Sequence, residues 1–142
     1  MSELAKISDR RDDQIVHLQQ ALEISDNSAQ TTAMELLLTE ALVETGNFRN
    51  AKFIAERLYD KLRRAGRWMA DAWDALEYVI VLSLVLQTSL ALNERSAAAL
   101  YLDLGRAVAA LVQAKTPRHV ATPKIKDLVN NMQIFNKRIH DH

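Results

Sequence analysis

The chain contains no cysteine, three glycines and two prolines. Without thiols there is no disulfide framework, no thiolate nucleophile and no cysteine-ligated zinc. With turn residues confined to Gly46, Gly66, Gly105, Pro117 and Pro123, a β-rich fold has too few places to reverse direction. The three glycines lie far apart, so no phosphate-cradling loop can form from them. No Gly-x-Ser-x-Gly elbow and no Glu-x-x-His pair occurs, which leaves serine hydrolase and carboxylate-bridged di-iron chemistry without a sequence basis. The N-terminus, Met1-Ser2-Glu3-Leu4-Ala5-Lys6, lacks the basic start and apolar run of a secretion signal, so a cytoplasmic location is the expectation. There is also no net charge: eighteen basic and eighteen acidic side chains balance.

What is present is helix-forming. The 142 residues are 49% apolar and 25% charged, which suits one globular domain spanning residues 1–142. Leu and Ala dominate. The apolar spacing is helical throughout and predicts six helices, hence an all-α fold, either an antiparallel helical-hairpin bundle or a short α-solenoid. The first helix is expected from about Asp9 to Ser25 with Ser8 as its cap, and Ile15, Leu18 and Leu22 share one face. A loop at Asp26-Asn27-Ser28 precedes a second helix that opens near Thr32, where Thr32 and Glu35 have capping-box spacing. That helix carries Met34, Leu37, Leu38, Ala41 and Leu42 and ends at Gly46. The third runs from Phe48 to Ala65 with Ala51, Ile54, Ala55, Leu58 and Leu62 inward, and Gly66 stops it. The fourth, from Trp68 to Leu92, holds the apolar run Tyr78 to Leu86. Glu77 and Gln87 bracket only nine residues there, too few for a membrane span, so a buried central helix is expected. The fifth runs from Glu94 to Lys115 behind an Asn93 cap. The sixth opens on Thr122 and Pro123, with Ile125, Leu128, Val129, Met132, Phe135 and Ile139 on one face.

Leu38, Gly46, Phe48 and Ala51 fall where a tetratricopeptide repeat places its leucine, turn glycine, aromatic and small alanine. The second and third helices therefore resemble one such repeat of roughly 34 residues. Glu35, Thr39, Leu58 and Arg63 depart from the family pattern. A fainter echo recurs at Asn93, with Ala98 standing in for Ala51 at a longer spacing. The resemblance implies a helical hairpin used for protein interaction.

Charge is segregated. Residues 1–47 hold nine acids and three bases, a net −6, and the remainder carries +6. On helix three Arg57, Lys61 and Arg64 form a basic stripe beside Arg63 and Arg67, with Arg118, Lys124 and Lys126 near helix six. Asp13 and His17 stand one turn apart, and the tail offers His140 and His142, but neither pair completes a metal site. The leading expectation is a non-enzymatic adaptor, chaperone or regulator, without cofactor or metal, that binds a protein segment in a groove between helices. Its interaction residues are expected among Trp68, Trp73, Phe48, Tyr101, Arg57, Lys61 and Arg64. Two alternatives are a nucleic-acid-associated regulator using the basic stripe and a small-ligand-binding bundle. Apolar side chains on nearly all sides of helix four, together with the split charge, suggest a homodimer with Trp68 or Trp73 at or near its interface.

Overall fold

The computed structural model describes the backbone of residues 3–24 and 28–140 and the side chains of residues 11–22 and 31–137. Among the described residues it is all-α, with six helices and no strand. The helices are α1 (Glu3–Ile24), α2 (Ser28–Glu44), α3 (Phe48–Ala65), α4 (Ala72–Ala91), α5 (Arg95–Lys115) and α6 (Ala121–His140). A 3-10 turn at Arg67–Met69 joins α3 to α4.

Successive helices pack side by side, and α6 folds back to close on both α4 and α5. Helix α4 is the centre. One side, Ala72, Ala75, Val79, Leu82 and Leu86, meets Ala98, Leu102, Val108 and Val112 of α5 and Ile125, Val129 and Met132 of α6. The other side, Val81, Leu84 and Val85, meets Ala55 and Leu58 of α3. Of the run Tyr78 to Leu86, Ile80 alone is not fully buried. By length and composition α4 and α5 could each cross a membrane, but 67% of the apolar window of α4 is buried among its own neighbours. Gly105 lets α5 and α6 approach closely, because a Cβ there would lie 3.3 Å from the Met132 methyl.

The α2–α3 and α4–α5 hairpins turn in the same way. In the first turn Thr45 N–H donates to Ala41 O, Gly46 to Val43, Asn47 to Leu42 and Ala51 to Asn47. In the second, Leu92 donates to Thr88, Asn93 to Leu90, Glu94 to Ser89 and Ala98 to Glu94. Every bond of one turn maps onto the other with a shift of 47 residues, from 46 to 93 and from 51 to 98. Both are Schellman closures with a left-handed residue after the helix, Gly46 at φ +80° and Asn93 at φ +64°. Burial follows the same shift: Ala51 and Ala98 are fully enclosed, Leu38 pairs with Val85, Ala55 with Leu102 and Leu58 with Gly105. The echo at Asn93 is thus a second copy of the hairpin turn. Gly46→Val forces a β-branched residue into the left-handed region and is expected to destabilise by about 1–2 kcal/mol. Asn93→Gly is expected to stabilise slightly. Chemical denaturation of the two variants checks both signs.

The structure corrects several boundaries. Ser8 lies inside α1, which begins at Glu3. Helix α2 begins at Ser28, so Thr32 and Glu35 are interior positions, both buried, and form no capping box. Helix α4 begins after Asp71, whose carboxylate accepts the Trp73 N–H at 2.8 Å, and Trp68 belongs to the preceding 3-10 turn. Asn93 is the left-handed residue of the turn rather than a cap, and Glu94 takes the position before α5. At α6 the Thr122 hydroxyl donates to the Thr116 carbonyl at 2.6 Å, while the His119 ring Nδ1 accepts the Ala121 N–H. Asp26 and Asn27 of the expected loop lie outside the described residues, and Ser28, expected in that loop, opens α2.

Candidate protein-interaction site

Helix α2 is flanked by α1 on one side and α3 on the other. Among the described residues the backbones of these two flanks stay apart. Ile15, Leu18 and Leu22 of α1 pack on Leu38 and Leu42, and Ala51 and Ile54 of α3 pack on the same pair. The gap between the flanks is an open groove of about 640 Å³. Leu22, Leu38, Leu42 and Ile54 supply its apolar lining, and Glu35, Asn50 and Arg57 its polar one. From Thr31 to Leu42 its floor runs roughly 16 Å at 1.5 Å per residue. Phe53 lines the same groove with 63% of its surface exposed, under the Arg57 guanidinium at 5.8 Å from the ring centre. Glu35 is buried in that lining.

The residues expected to make a site do not gather. Arg57 lines the groove. Phe48 begins α3 and is partly buried. Lys61 lines a separate cleft with Trp68, Asp74 and Glu77, where burial and then Asp74 raise the Glu77 carboxyl while Lys61 pulls it back. Arg64 is held at 3.0 Å by Asp60, which also takes Arg63 at 2.9 Å. The Arg63 hydrogen bond, more than any other influence, lowers the Asp60 carboxyl. Lys52 pairs with Glu94 and, at 3.3 Å, with Glu56, tying α3 to the second turn. The basic stripe is therefore interleaved with carboxylates, the opposite of a continuous phosphate-tracking surface.

Trp68 stacks on Tyr78 with ring centres 5.0 Å apart and planes 9° apart. Tyr59 of α3 sits 5.9 Å from Tyr78 and meets Tyr101 of α5 edge-on at 5.4 Å. Trp68 and Tyr101, each half-buried, thus belong to an aromatic cluster packed against the core. Trp73 stays half exposed, with the His119 ring at 5.3 Å and the Lys124 ammonium at 5.6 Å. The apolar surplus of α4, on which a homodimer was expected, is met by α3, α5 and α6.

Burial pushes the Tyr78 phenol up, with Tyr59 adding to the rise, and burial also raises Tyr101. In the unfolded chain these phenols ionise near pH 10, whereas in the fold they stay neutral. Their stabilisation is complete below about pH 10 and falls as pH rises further. Tyr78→Phe should flatten that alkaline loss in urea unfolding. An unchanged loss would mean that Tyr78 does not drive it.

Asp13 and His17 line a shallow hollow between α1 and α2 with Gln14 and Met34. No group of three or more metal-ligating side chains forms among the described residues, and the His140 and His142 side chains lie outside them. Compared with known protein families, characterised proteins and solved structures, the chain matches none.

Sequence reasoning missed Phe53, Leu22, Glu35 and Asn50 as groove residues. A signal was available for Phe53: it is a large aromatic lying off the inward face of an otherwise amphipathic helix.

Proposed function

We propose that the protein is a non-enzymatic interaction module that binds a segment of a partner protein in the groove over α2. The carrying observation is the groove itself, about three helical turns long, with Thr31 and Glu35 towards one end of its floor and Leu38 and Leu42 towards the other, open to solvent and edged by exposed Phe53 and Arg57. Apolar contacts there supply affinity, and Arg57 and Glu35 orient the bound chain.

The repeat provides a matched control. Position 53 corresponds to Leu100, which is similarly exposed but lies on the second hairpin. A photoreactive benzoylphenylalanine placed at Phe53 should form one discrete adduct in cells of the native source, and the same group at Leu100 should not. Equal adducts at both positions, or none at Phe53, contradict the reading.

A homodimer is a second proposal, now resting on half-exposed Trp73 rather than on the rest of α4. Sedimentation equilibrium should then show mass above 16.1 kDa that returns to 16.1 kDa in Trp73→Ala. A single 16.1 kDa species in the unmodified chain contradicts it.

A further inference from the structure

The two hairpins share their turns, but aromatic rings occupy the groove of the second. The 47-residue shift places Thr31 opposite Tyr78, Glu35 opposite Leu82 and Ile54 opposite Tyr101. In the second hairpin Tyr78 and Tyr101 flank the ring of Tyr59, which enters from α3, the helix before the hairpin. Trp68 stacks behind Tyr78. Aromatic side chains thus lie between the flanks of α4.

In the first hairpin the corresponding positions hold a threonine and an isoleucine, and both line the groove or its rim. The preceding helix, α1, contains no Phe, Tyr or Trp to enter from its side. The first groove is built like the second but lacks the ring that would fill it. A further difference lies in its floor. Where the second hairpin has fully buried Leu82, the first has Glu35, buried and lining the groove. A carboxylate in that place accepts a hydrogen bond, and tyrosine and tryptophan are the aromatics that combine a ring with a donor.

We infer that the groove over α2 takes a tyrosine or tryptophan of a partner protein segment, its ring filling the slot that Tyr59 fills in the second hairpin and its O–H or N–H donating to Glu35. This rests on the interaction-module reading above and names the anchor that such a partner carries. Arg57 at the rim favours an acidic residue beside that anchor. A buried charge-assisted hydrogen bond makes phenylalanine a poorer anchor by about tenfold or more.

The test is selection of phage-displayed random linear peptides on the 142-residue chain, scored against plugged and relined variants. Ile54→Tyr plugs the slot with the residue that the second hairpin carries at this position. Thr31→Tyr plugs it from α2 and serves if Ile54→Tyr does not keep its helical circular dichroism. Glu35→Leu relines the floor as in the second hairpin. The expected result is a set of clones sharing Tyr or Trp that lose binding to the plugged chain. They should weaken about tenfold when that residue becomes Phe, and this preference should vanish on Glu35→Leu. Plug-sensitive clones without a shared Tyr or Trp, or with the Phe penalty unchanged in Glu35→Leu, overturn this inference and leave the groove reading standing. Failure to enrich any plug-sensitive clone overturns both.

Discussion

Truncating Leu86 to alanine is expected to lower the unfolding free energy by about 3 kcal/mol and the melting temperature by roughly 10 °C. Leu86 is fully buried on the side of α4 that meets α5 and α6, so the lost methyls leave a cavity where helices from two directions converge. Leu100→Ala is the contrast. Leu100 is 58% exposed, and its truncation should stay within about 0.5 kcal/mol. If the two substitutions had equal effects, α4 would not be the common core of the molecule. Urea unfolding of both variants decides this.

The tryptophans should separate as sharply. Trp68 stacks on Tyr78 and packs against the main core, so Trp68→Ala is expected to destabilise by about 2–3 kcal/mol. Trp73 is half exposed and holds His119 and Lys124 by ring contacts that are weak in water. Trp73→Ala should therefore change stability by less than about 1 kcal/mol. Thermal unfolding followed by circular dichroism measures the pair. Equal melting would place both rings in the core and remove Trp73 as a contact for a second chain.

The helical class was readable from scarcity: a chain with three glycines and two prolines has few options besides long helices. Helix α3 was readable to the residue, because Gly46 and Gly66 punctuate both ends and adopt the left-handed backbone that glycine tolerates. Where local signals conflict with burial, the reading slipped. Thr32 and Glu35 have the spacing of a cap, but both are interior residues of α2 and the core and groove set their roles. Trp68 continues the apolar period of α4, yet the chain takes a 3-10 turn there because Asp71 caps the helix further on. Asn93 was recognised as a boundary but not as a left-handed one, a conformation asparagine shares with glycine.

The candidate site was the least readable part. Its walls come from three helices, two of which approach over α2 with their backbones apart. No periodicity within one segment records that gap. Glu56 and Asp60 interrupt the basic stripe already in the sequence, and the fold adds the Lys52–Glu94 pair from the second turn. Of the aromatics expected to anchor a partner, Tyr101 and Trp68 are half-buried and pack on Tyr59 and Tyr78.

The most direct measurement is a methyl nuclear magnetic resonance titration of the 142-residue chain with a plug-sensitive, tyrosine- or tryptophan-containing peptide. The expected result is saturable shifts at the Leu22, Leu38, Leu42 and Ile54 methyls, no comparable shifts at Val85 or Leu102 around the filled groove, and none anywhere in Ile54→Tyr. Shifts centred on the second hairpin, or unchanged by the plug, would contradict a binding groove over α2.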